Sequence, residues 1–149
     1  MTAAPRWMML TLLAAAAYNV AWGGLAVLAP GMTLRWIGLP DATEAFWQCI
    51  GMIIGVYGVG YAIAAFDPMR HWPIVFVGLL GKVFGPIGFG QGLLAGDLPW
   101  RMGWTILTND LIWWWPFTAI CLHAWRASRR GGRRDGPASA ASGASRRTS

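Results

Sequence analysis

A lysine in the middle of a hydrophobic run constrains this chain more than any other feature. From Trp72 to Gly96 the sequence reads WPIVFVGLLGKVFGPIGFGQGLLAG, with Lys82 near its centre. At ~1.5 Å rise per helical residue, such a run exceeds the ~20 residues needed to cross the hydrocarbon of a bilayer, so it predicts a transmembrane helix. An ammonium near the midplane costs about 3 kcal/mol on insertion scales and therefore calls for a partner inside the protein. The carboxylate that stands in a comparable apolar run is Asp110.

The composition places the whole chain in the same class. Of 149 residues, 56% are hydrophobic and only 12% charged, 11 are Trp, and mean hydropathy is +0.44. That is not the make-up of an ordinary soluble domain. The formal charge of +6 does not point to nucleic acid, because it is concentrated at Arg126, Arg129, Arg130, Arg133, Arg134, Arg146 and Arg147. Arginines just beyond a membrane helix suit orientation and attraction to anionic headgroups, and no base-reading motif accompanies them.

Four spans are predicted. Residues 8–29 form an Ala-rich apolar run, whose length and the three runs after it set it apart from a signal peptide despite Arg6 ahead of it. Pro30 and Gly31 end it, and 32–44 reads as a short polar connection, with Trp36 and Trp47 at headgroup level. Residues 45–66 form the second span and carry the close-packing pair Gly51 and Gly55. Pro68 blocks its continuation and Pro73 suits the first turn of the third span, 72–96. The fourth covers 103–125, and 126–149 reads as a disordered basic tail. The fold expected is therefore all-α: a polytopic membrane protein built as an antiparallel bundle of four transmembrane helices. Counting Lys and Arg by side sets Arg6, Arg70 and the tail against Arg35 and Arg101. This puts both termini in the cytoplasm.

In the third span Gly78, Gly81, Gly85, Gly88 and Gly92 recur every three or four residues, a stripe on one helix face of the kind that packs helices in lipid. Lys82 lies at the edge of this stripe and should face the bundle. Pro86, four residues on, removes one backbone hydrogen bond and frees a carbonyl.

Depth arithmetic sets Lys82 ~15 Å above the inner face and Asp110 ~20 Å above it, within a lysine side chain of each other. An intramembrane ion pair is expected. Tyr18 and Asn19 on the first span, Tyr57 on the second, and Asn109, Trp113 and Trp114 on the fourth approach the same layer. This polar cluster is either a lock on helix register or a ligand-binding site. His71, His123 and Cys121 gather near the cytoplasmic ends of adjacent helices and are weighed as metal or haem ligands, but no close motif joins them. No metal site is predicted, and the cofactor stays unknown. Cys49 and Cys121 belong to opposite ends of their spans and cannot pair. No nucleophile elbow, zinc motif or phosphate loop is present, so the chain reads as non-enzymatic.

RHWPIVFVGLLGKVFGPIGF at 70–89, with TNDLIWWWPF at 108–117, resembles a group of small bacterial four-helix membrane proteins that includes DoxX-like ones. The resemblance implies a four-helix membrane bundle and an accessory role in a membrane redox complex. Some of the group are labelled alkyl hydroperoxide reductase. That chemistry is not expected here, since neither Cys49 nor Cys121 sits in a peroxidatic motif. Two functions are carried forward. One is an accessory subunit or binder of a small, quinone-like lipophilic molecule at the Lys82 and Asp110 layer. The other is a small homo-oligomeric transporter or proton-coupled carrier.

Overall fold

The computed structural model describes residues 4–134. Among them the secondary structure is helical, without a strand. Helix α1 is Arg6–Leu28, α2 Pro30–Ile37, α3 Glu44–Phe66 and α4 Trp72–Ala95. A single 3-10 turn, Trp100–Met102, leads to α5, Gly103–Ile106. A π-helical turn, Leu107–Leu111, then joins α5 to α6, Ile112–Arg134. Three helices, α1, α3 and α4, are long and apolar enough to cross a membrane.

Three expectations need correction. The connection after the first span contains a helix, α2. Pro30 does stop α1, since it has no N–H to give and pushes Ala29 out of helical geometry (φ −137°, ψ 58°). It then serves as the first residue of the next helix, a position where the missing N–H costs nothing. The stretch 103–125, expected as a fourth span, is not one apolar helix: the π turn divides it into α5 and α6, and it is not among the helices long and apolar enough to cross a membrane. Its helix also runs on to Arg134, where a disordered tail was expected from 126. Arginine is a good helix former and sits well at the negative end of the helix dipole. Arg129 lies 4.0 Å from the Trp125 ring one turn below. Residues 135–149 lie outside the described residues.

Local chemistry explains the boundaries. Gly38 (φ 87°) and Gly96 (φ 80°) take the left-handed conformation that ends α2 and α4. In both, the next N–H reaches back five residues, Leu39 to the Leu34 carbonyl and Asp97 to the Gly92 carbonyl, each at 2.9 Å. Between α3 and α4, the Asp67 carboxylate accepts from the Arg70 N–H at 3.1 Å and holds the turn.

Helices α1 and α3 are antiparallel and packed backbone to backbone. A Cβ at Gly23 would lie 2.5 Å from the Gly51 carbonyl oxygen and 2.7 Å from the Gly55 nitrogen. One at Gly58 would lie 2.8 Å from the Val20 side chain. The glycine pair at 51 and 55 thus meets α1.

Two apolar clusters result. One joins Met8, Leu12, Tyr61, Val75, Phe117 and Ile120 across α1, α3, α4 and α6. The other joins Ala26, Leu34, Ile37 and Trp47 at the opposite end. Trp47, expected among headgroups, is buried and donates its indole N–H to Thr33 Oγ1 at 2.7 Å. Trp36, by contrast, is exposed. Between the clusters lies a layer of buried polar groups.

Candidate functional site in the polar layer

Two prolines and two threonines shape the site. Pro86 has no N–H for the carbonyl one turn earlier, which is that of Lys82 itself. Trp114 supplies the missing donor, its indole Nε1 bonding to the Lys82 carbonyl at 3.0 Å. Across the interface, Thr105 and Thr108 return their hydroxyl hydrogens to the carbonyls of Met102 (2.7 Å) and Trp104 (2.9 Å). Such back-bonding loosens a helical ladder. Pro116 removes a further donor just downstream. The ladder widens into the π turn at Leu107–Leu111, and side-chain donors from elsewhere meet carbonyls of that turn. Trp113 Nε1 bonds to the Thr108 carbonyl at 3.0 Å, and Lys82 Nζ donates to the Asn109 carbonyl.

The expected ion pair is therefore replaced by a different contact. Lys82 gives its hydrogen bond to the main chain next to Asp110, while the Asp110 carboxylate accepts from Asn109 Nδ2 at 3.0 Å. Both charged residues are deeply buried, Lys82 at 4% and Asp110 at 5% exposure. The ammonium also lies 5.7 Å from the Tyr61 ring and 6.0 Å from that of Phe117, where the aromatic faces attract a cation. Gly85 makes room for the carboxylate, since a Cβ there would lie 2.8 Å from Asp110 Oδ2.

A cavity of about 180 Å³ brings Lys82, Asp110, Asn109, Asn19, Tyr57 and Tyr61 together, with Gly78, Gly81 and Gly85 as its glycine wall. Asn109 Oδ1 is buried and has no hydrogen-bond partner. Asn19 lines the cavity but ties its Nδ2 to the Ala15 carbonyl of its own helix at 2.8 Å. The cavity shares Ile53 and Tyr57 with an apolar cleft of about 680 Å³ between α3 and α4, which Val56, Gly60, Ile74 and Val77 also line. That volume lies within the range of ligand pockets. On its other side, it shares Gly85 and Asp110 with a space of about 280 Å³ reaching Trp22 and Leu98.

The remaining residues singled out from sequence fall at the margins. Tyr18 bonds to Thr108 Oγ1 at 2.7 Å; the Thr108 hydrogen is engaged by Trp104, so Tyr18 is the donor. Trp113 is buried in the apolar cluster, Trp114 braces Lys82 from outside, and Trp115 is 85% exposed. The glycine stripe receives side chains more than backbone: Gly78 faces Tyr61, Gly85 faces Asp110 and Gly92 faces Leu98. A Cβ at Gly81 would be 3.8 Å from the Tyr57 hydroxyl, and one at Gly88 would meet nothing within 4 Å. Tyr61 and Phe117, not expected from sequence, also belong to the site, their rings beside the Lys82 ammonium. Each stands one helical turn from Tyr57 and Trp113 respectively, an i,i+4 spacing that is legible in the sequence.

His71 caps α4, His123 is exposed and Cys121 is buried in the apolar cluster. Among the described residues no three His, Cys, Asp or Glu side chains gather as a metal site. No family model matches the chain, and comparison with curated proteins and with solved structures finds no match.

Proposed function

We propose that the chain is a four-span inner-membrane protein, termini in the cytoplasm, that binds a small lipophilic molecule. It acts without catalysis, as a binder or as an accessory subunit of a larger membrane complex. The polar head of the ligand occupies the cavity at Lys82 and Asp110, and its tail occupies the cleft between α3 and α4. The observation that carries this reading is the pair of buried opposite charges with hydrogen-bonding capacity to spare, in a cavity that shares Ile53 and Tyr57 with an apolar cleft. Intramembrane ionisable groups are expensive and mark functional sites by default. The accessory role implied by the DoxX-like resemblance supports the same reading.

The test is mass spectrometry of small molecules that co-purify in nanodiscs with the wild type, Lys82→Met and Asp110→Asn. Folded variants that lose a molecule carried by the wild type are the expected result. A wild type as empty as its variants, with only stability altered, would reduce the layer to a structural lock.

A second reading, a small homo-oligomeric transporter, has one observation in its favour: open space adjoins the site on both sides. Substrate flux in proteoliposomes that vanishes in Asp110→Asn would select it.

A further inference from the structure

We infer that the head group taken by this cavity is neutral and carries hydroxyl hydrogens, so that a dihydroxy ring is held in preference to the dicarbonyl ring of the same skeleton. The inference rests on the binding reading above and narrows its ligand class.

The cavity wall carries unused hydrogen-bonding capacity. One acceptor waits in the wall: among the described residues Asp110 Oδ2 receives no hydrogen bond, since Asn109 Nδ2 goes to Oδ1. Donors wait as well. An ammonium has three hydrogens, of which Lys82 uses one on the Asn109 carbonyl, and the Tyr57 hydroxyl stands on the same wall. A ketone or quinone offers acceptors only; it would answer Lys82 and leave Asp110 unmet. A hydroxyl both donates and accepts, and so answers both sides.

Charge points the same way. Lys82 and Asp110 are each more than nine-tenths buried and of opposite sign, so the wall sums to zero. An anionic or cationic head would be repelled by one of the two and would carry its own desolvation cost into the site. Size sets the scale of the head. A cavity of about 150 Å³ holds benzene, so the ~180 Å³ here takes one substituted six-membered ring. Ile53 and Tyr57 mark where a tail leaves for the cleft.

The experiment uses the full chain in nanodiscs of zwitterionic lipid under anaerobic conditions. Decyl-1,4-hydroquinone, decyl-1,4-benzoquinone and decanoate are each measured as retention above empty nanodiscs, which removes partition into lipid. The expected result is a hydroquinone at least tenfold tighter than the quinone, with decanoate weaker than the hydroquinone. Quinone binding as tight as hydroquinone binding, or decanoate binding tightest of the three, overturns the inference while leaving a lipophile site in place. Retention of none of the three overturns the binding reading and this inference with it. Asp110→Asn keeps the size of the side chain and replaces a carboxylate acceptor with an amide donor. The preference should fall at least threefold in that variant, and an unchanged preference in a folded variant overturns the role given to Asp110. The wild-type comparison stands even if this variant does not fold.

Discussion

Trp114 and Lys82 are joined through the backbone: the Trp114 indole donates to the Lys82 carbonyl at 3.0 Å, and that carbonyl is the one Pro86 leaves without a helical donor. The lysine side chain reaches the other way, to the Asn109 carbonyl in the π turn. Helix α4 and the broken helix opposite it therefore each meet a backbone acceptor of the other with a side-chain donor. The position of the ammonium is set by this exchange, not by a direct ion pair with Asp110.

Trp114→Phe keeps the ring and removes the donor. It leaves a buried carbonyl unpaired, and the expected loss is about 1–3 kcal/mol of stability. Pro86→Ala restores the N–H one turn on. Combining it with Trp114→Phe should recover most of that loss, whereas Pro86→Ala alone should change stability far less. Denaturant titration in detergent of the two single variants and the double checks this; a double variant no more stable than Trp114→Phe would mean that the carbonyl does not depend on the indole.

Lys82→Met leaves Asp110 buried with no cation in its cavity, and Asp110→Asn leaves Lys82 without its counter-charge. Removing one buried charge strands the other, so each single variant should be more damaging than the double replacement suggests. A coupling of about 0.5–3 kcal/mol is expected, with the double variant more stable than the sum of the singles predicts. Strict additivity in thermal or denaturant unfolding would show that the two charges do not sense each other across the cavity.

Much of this arrangement is legible in the sequence, and the parts that are not have physical reasons. Run length and apolarity are enough for α1, α3 and α4, because a helix that must satisfy its own backbone in lipid leaves no alternative. Helix α2 is hidden by the double meaning of proline: Pro30 is a stop for one helix and a first residue for the next. The π turn at Asn109 is not visible from hydropathy, since it depends on Thr105 and Thr108 turning their hydroxyls back on the ladder. Depth arithmetic brings Lys82 to within one residue of its acceptor. It cannot choose between the Asp110 carboxylate and the Asn109 carbonyl beside it, because that choice is made by the widened turn.

The proposed topology makes a separate prediction. If four spans set Arg6, Arg70 and the C-terminal arginines against Arg35 and Arg101, a green fluorescent protein fused after Ser149 should fluoresce in a bacterial host, and an alkaline phosphatase fused there should be inactive. The opposite pattern would reverse the topology and place the basic end of α6 outside the cell.

Two neighbouring glycines in α1 separate packing from composition. A Cβ at Gly23 would lie 2.5 Å from the carbonyl oxygen of Gly51 and 2.7 Å from the nitrogen of Gly55, both backbone atoms that can move only if α1 and α3 separate. At Gly24 a Cβ meets nothing within 4 Å. Gly23→Ala should therefore cost about 1–3 kcal/mol, the range for forced overpacking. Gly24→Ala should be neutral or stabilising by up to about 1 kcal/mol, because alanine is the better helix former. The cost at Gly23 should also reach the site, since Tyr57 and Tyr61 stand on α3 and line the cavity. A ligand retained by wild type and Gly24→Ala but lost from Gly23→Ala would show that the α1–α3 contact holds α3 at its working distance from α4. Equal unfolding of the two variants would mean that the close approach at Gly23 contributes nothing to stability.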